Sequence, residues 1–154
     1  MEEGDGSMIG ILVATHGTFA EGLINAVELI AGKQEKVMGI GLNHGDSIEG
    51  YEEKMVSAIQ ELDDGDGVLV LVDILGGSPS NCAIKCMRLE NNIKALTAAN
   101  MPMLVEATMI REVMTLEELS DICMTTGQAG PILLNDEYKR LCAEAADDED
   151  EEEF

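Results

Sequence analysis

From Met8 onward the chain alternates unbroken apolar runs with segments of helical period. Ile9 to Thr15, Val37 to Leu42, Val68 to Asp73 and Ile93 to Ala98 are short and almost wholly apolar. Such runs mark strands buried on both faces. Between them, Leu23, Ile24, Val27 and Ile30 recur at three- and four-residue steps, and Gly32 closes that helix. Ile48, Tyr51, Met55, Ile59 and Leu62 repeat the spacing. Gly76-Gly77-Ser78-Pro79 opens a third helix reaching about Leu89, with Ser78 as N-cap and Pro79 in first position. Pro102 opens a short helix through Arg111, and a further one stops near Gly127. Thr18 with Glu21, Asp46 with Glu49, and Thr115 with Glu118 read as capping boxes. Ile132 to Leu134 reads as a short last strand, followed by a brief helix.

Strand–helix alternation predicts a mainly parallel sheet with helices on both faces, a three-layer α/β/α sandwich. The expected strand order is 2-1-3-4, with the short C-terminal strand antiparallel. Residues 1–7 read as a disordered lead or expression remnant, 8–135 as one folded domain, and 136–154 as a short helix and acidic disordered tail. A length of 154 residues suits one such domain.

Charge and composition narrow the partners. The formal net charge is −22, and eight acids with no base lie between Glu144 and Phe154. The remainder is still acidic, which argues against nucleic acid and anionic membranes, both of which bind basic patches. Aromatics are 3% and Trp is absent, so stacking platforms for single strands are not expected. No apolar stretch approaches the roughly 20 residues that span a bilayer, and the first apolar run follows acids rather than a basic leader. The reading is a cytoplasmic protein. Cys82, Cys86, Cys123 and Cys142 read as small buried thiols; Cys82 and Cys86, one helical turn apart, do not make a metal motif. No metal or cofactor is expected.

The chemistry-bearing residues fall at strand ends. Open parallel sheets bind ligands outside the carboxyl ends of their strands, where strand order reverses. His16 follows the first strand, Asp73 ends the third, and Gly76-Gly77-Ser78 leads into a helix N-terminus. With order 2-1-3-4, the first and third strands are neighbours and His16 faces Asp73. A neutral imidazole nitrogen is a good nucleophile near neutral pH. A carboxylate on the other ring nitrogen fixes the tautomer and steadies the positive ring charge that develops. Amides at a helix start attract phosphate oxygens, and glycines let the backbone approach closely. Gly17 and Thr18 offer a second donor set. Taken singly, each feature has an ordinary structural reading: a loop histidine, a capping aspartate, a helix start. His44, in Asn43-His44-Gly45-Asp46, reads as a loop residue.

Three segments carry a resemblance. Ile11-Leu12-Val13-Ala14-Thr15-His16-Gly17 with Ala20-Glu21-Gly22, then Val72-Asp73 with Gly76-Gly77-Ser78-Pro79 and Asn81, then Asn100, Pro102-Met103-Leu104-Val105-Glu106 and Arg111, resemble the mannose-family enzyme IIA of the bacterial sugar phosphotransferase system. The resemblance spans about Met8 to Pro131. It implies a phosphohistidine on His16 at Nε2, Asp73 holding Nδ1, and Thr15, Asn81 and Asn100 in supporting places. It implies the histidine phosphocarrier protein as donor, a IIB protein or domain as acceptor, and membrane IIC and IID components downstream. It also implies a homodimer in which Ile132 to Leu134 pairs with the partner's sheet. The family is often fused to a IIB domain, which this chain does not reach, so a separate IIA subunit is expected. The lead and acidic tail have no counterpart in the family pattern.

Other readings stay open at this stage. The phosphotransfer subunit of a dihydroxyacetone kinase resembles this domain, though Gly-Gly-Ser-Pro-x-Asn and Pro-Met-Leu-Val-Glu favour the sugar system. A phosphoglycerate-mutase-like enzyme wants an Arg before the histidine, where Thr15 stands. A non-catalytic regulatory module of the same fold would leave His16 structural.

Overall fold

A computed structural model describes residues 6–89 and 92–152. The expected lead therefore lies outside the described residues except for Gly6 and Ser7, as does the very end of the expected tail. In chain order the elements are β1 (Gly10–His16), α1 (Phe19–Ala31), β2 (Val37–Leu42), α2 (Ile48–Leu62), β3 (Val68–Val72), α3 (Ser78–Cys86), β4 (Ile93–Leu96), α4 (Met101–Ile110), a 3-10 turn (Arg111–Val113), α5 (Leu116–Gly127) and α6 (Leu134–Glu152).

The four strands form one parallel sheet, as the alternation predicts, in the expected order β2-β1-β3-β4. Successive strand side chains point to opposite faces, and the core divides accordingly. Ile11, Val13, Leu69 and Leu71 pack with α1, α4 and α5 through Leu23, Val27, Leu104 and Leu119. Leu12, Ala14, Val68, Val70 and Val72 pack with α2 and α3 through Met55, Ile59, Cys82 and Cys86. Two cores on one sheet explain why these strands read as unbroken apolar runs.

Helix entries differ in detail from the expected caps. Thr18 has a backbone conformation outside the extended N-cap region, and its side chain caps nothing. Its place is taken by Thr15, fully buried at the end of β1, whose Oγ1 accepts from the Ala20 amide at 2.9 Å. At α2 the cap is Ser47, extended and accepting from Gly50, while Asp46 turns back to the Asn43 amide. At α3 the N-cap is Gly77 and Ser78 is the first helical residue. Thr115 and Glu118 form the capping box as expected.

Ile132–Leu134 is not a strand in the single chain. Residues 129–133 are irregular and Leu134 begins α6. A strand needs a neighbouring edge, and Ile132, Leu133 and Leu134 lie exposed without one. Nor is the brief terminal helix brief: α6 continues to Glu152. Arg140 bonds Glu137 one turn back and Glu144 one turn on, and Leu, Lys, Arg, Glu and Ala are good helix formers.

Cys82, Cys86 and Cys123 are buried free thiols, whereas Cys142 is exposed on α6, contrary to the expectation that all four are inside. Burial, and then the nearby Glu106 charge, push Cys123 up to about 11, which keeps it a thiol. No helix among the described residues is long and apolar enough to cross a membrane.

Candidate active site at the strand switch point

β1 and β3 are adjacent, α1 leaves β1 on one face, and α3 leaves β3 on the other. The gap between their carboxyl ends is where His16 and Asp73 meet. The His16 amide donates to Asp73 Oδ2 at 2.9 Å, and His16 Nδ1 lies 2.8 Å from the same oxygen. Oδ1 accepts from the Ile74 amide at 2.9 Å. Burial pushes the Asp73 carboxyl up, but the bonds from the His16 amide, the His16 ring and the Ile74 amide together outweigh it and hold the group below the ordinary carboxylate range. Asp73 is therefore an acceptor at neutral pH. Nδ1 must carry the proton that fills the 2.8 Å contact, and the lone pair falls to Nε2. The His16 side chain is 46% exposed, so the ring is open to an incoming group.

The surrounding backbone is fitted to the ring. A Cβ at Gly77 would sit 2.7 Å from His16 Cε1, so only glycine admits this approach. Gly76 has φ +85°, the left-handed conformation that turns β3 into α3. Gly17 also has positive φ, and its amide donates to the Leu42 carbonyl at 2.8 Å. The Gly76 amide donates to Ser80 Oγ at 2.9 Å. Two of the expected phosphate-binding amides are thus engaged within the chain. Those of Thr18, Gly77 and Ser78 donate no hydrogen bond among the described residues.

The remaining sequence candidates separate. Thr15 lies beneath the site and also donates to the His16 carbonyl at 3.1 Å. Asn81 is exposed on the first turn of α3, and its side chain makes no hydrogen bond among the described residues. Asn100 is a builder: Oδ1 caps α4 through the Met103 amide, and Nδ2 donates to the Ala98 and Gly127 carbonyls. Arg111 is buried at the opposite edge of the sheet. It donates to the carbonyls of Ile9, Lys36 and Glu35 and to Gln34 Oε1, tying α4 to the starts of β1 and β2. His44 sits exposed in the loop after β2.

Two residues escape a reading of the sequence. Ser80, nearly buried on the first turn of α3, bonds both glycines of the loop. A Cβ at Gly41, in β2, would lie 1.9 Å from the Gly17 carbonyl oxygen, so this glycine lets β2 close against the residue after His16. A serine one turn beyond a Gly-Gly pair was the only available signal for the first; nothing in the pattern marks the second.

Phe19, Ile74 and Leu75 are exposed apolar residues on the same edge as His16. An open imidazole beside apolar side chains suits contact with another protein better than enclosure of a small molecule.

Comparison with known proteins identifies the family and the fold. Residues 10–124 match the family described as PTS system fructose IIA component. The chain is 37% identical over 123 residues to the PTS system mannose-specific EIIAB component of Escherichia coli, covering 79% of this chain and 38% of that protein. It therefore spans well under half the length of that relative. It is 29% identical to the PTS system fructose-specific EIIA component of Bacillus subtilis, covering 73% of this chain and 77% of that protein. Among solved structures, phosphotransferase system component EIIA from Streptococcus agalactiae superposes with a TM-score of 0.76 at 32% identity, covering 83% of this chain and 98% of that one.

Proposed function

The chain belongs to the IIA family of the sugar phosphotransferase system, of the mannose and fructose type, and from that premise we propose that it relays a phosphoryl group between proteins on His16. The observation that carries the reading is the 2.8 Å contact of Nδ1 with Asp73, which leaves the lone pair of the neutral ring on Nε2, in a side chain that is half exposed. The donor is the phosphorylated histidine phosphocarrier protein. The Nε2 lone pair attacks phosphorus, a new N–P bond forms, and the donor's N–P bond breaks with its electron pair returning to the donor imidazole. No proton has to move, because the Nδ1 proton stays on Nδ1, hydrogen-bonded to Asp73. The ring gains positive charge, which the carboxylate at 2.8 Å steadies. The unpaired amides of Gly77 and Ser78, with that of Thr18, supply donors for the phosphoryl oxygens. The reverse geometry passes the group to a histidine of a IIB partner, which serves sugar uptake by membrane components.

A homodimer belongs to the same reading, with Ile132 to Leu134 completing the partner's sheet; sedimentation at the monomer mass would remove that part. The phosphorelay itself is tested by incubation with phosphorylated carrier protein. Wild type is expected to take label and release it to IIB, and His16→Ala, at an exposed position, to stay folded and unlabelled. Undiminished labelling of folded His16→Ala overturns the assignment. Onward transfer confined to a dihydroxyacetone kinase would move the protein to that system.

A further inference from the structure

Ser80 stands behind the glycine loop rather than in it. It is 3% exposed, and its hydroxyl works in both directions: it accepts from the Gly76 amide at 2.9 Å and donates to the Gly77 carbonyl at 3.0 Å. One oxygen therefore ties the two residues that carry the chain from β3 into α3. Gly76 is in the left-handed region, which a glycine enters freely and also leaves freely. Something must hold the turn, and the Ser80 hydroxyl is the side chain that does. The loop it holds is the wall of the site, since Gly77 comes so close to the ring that a Cβ there would reach 2.7 Å from Cε1 and 3.4 Å from Nε2. The bond to Gly76 also decides which amides remain. It consumes the Gly76 N–H, while those of Gly77 and Ser78, next along the same loop, have no partner among the described residues.

We propose that Ser80 is a positioning residue for phosphoryl transfer: through its two hydrogen bonds it sets the Gly76–Gly77 turn so that the Gly77 and Ser78 amides stand ready beside Nε2. The inference rests on the reading of His16 as the phosphorylated residue. Ser80 does not touch the phosphoryl group. Its removal frees the Gly76 amide and half-frees the Gly77 carbonyl, and the turn relaxes.

The test compares wild type, Ser80→Ala and Ser80→Cys with phosphorylated carrier protein as donor. Cysteine fills nearly the same space with much weaker hydrogen bonding, so it serves if alanine does not fold. A displacement of about 1 Å in such a site costs on the order of 10²-fold in rate. Ser80→Ala is expected to slow transfer roughly 10- to 100-fold at saturating donor, with the half-saturating donor concentration unchanged, because the docking surface is untouched. Ser80→Cys should fall between. The phosphorus resonance of the phosphohistidine should move in both, since its neighbouring amides move, and thermal unfolding recorded alongside separates this from general loosening. Wild-type rates with an unmoved resonance in the folded variants overturn the inference. So does a slower rate with an unmoved resonance and a raised half-saturating concentration, which would make Ser80 structural. Failure of the underlying reading looks different: wild type itself takes no label.

Discussion

Asp73 uses both carboxyl oxygens as acceptors: Oδ2 for the amide and ring of His16, Oδ1 for the amide of Ile74. Asparagine cannot reproduce this. In either flip its NH2 group faces a donor, so Asp73→Asn both misplaces the ring and removes the charge that steadies it. Transfer should slow by up to roughly 10⁴-fold, the loss that follows when a triad aspartate is replaced by its amide. An unchanged rate in stopped labelling assays would remove Asp73 from the mechanism. Stability has a matching signature. The folded carboxyl is held below its ordinary value, so its contribution is complete above about pH 4 and is lost as pH falls through the lower, folded value. Urea unfolding of wild type and Asp73→Asn should therefore differ most near neutral pH and converge in acid. At this scale the sequence was informative where chemistry sits at strand ends, as with His16 and Asp73. It was silent on Ser80, whose role depends on a three-dimensional turn that no spacing rule describes.

At the scale of elements, strand packing sets the site as firmly as side chains do. Thr15 pairs with Gly41 across β1 and β2, and Gly41 allows the Gly17 carbonyl to lie where a Cβ would otherwise be. Gly41→Ala forces backbone against backbone, so it should cost about 1–3 kcal/mol by overpacking and slow transfer with it. Gly22 is the contrast: exposed in α1 with open space around its Cβ position. Gly22→Ala should stabilise by roughly 0.5–1 kcal/mol through helix propensity and leave transfer unchanged. Paired melting curves and labelling rates check both; equal behaviour of the two variants would contradict this account of Gly41. The apolar runs and helical stripes made strands and helices legible. Cap identity was less so, because Thr18 and Asp46 offered the right chemistry while the backbone angle gave the task to Thr15 and Ser47.

For the whole molecule, one sheet with two cores places the carboxyl ends of β1 and β3 side by side; the parallel sheet was legible in the alternation, while the strand order had to be assumed. The stretch Ile132–Leu134 was misread for the single chain because a strand is defined by a neighbour, and the chain's own pattern cannot supply one. The acidic run from Glu144 suggested disorder by charge, yet its Glu and Ala residues continue the helix that Arg140 braces. Net charge of −22 remains the molecule's broadest feature and suits partners with basic docking faces. All of this converges on one nitrogen. After phosphorylation by carrier protein, nitrogen-15-resolved phosphorus NMR of the labelled chain locates the phosphoryl group directly. The account predicts phosphorus bonded to Nε2 of His16 with Nδ1 still protonated. Phosphorus on Nδ1 of His16, or on His44, would contradict it.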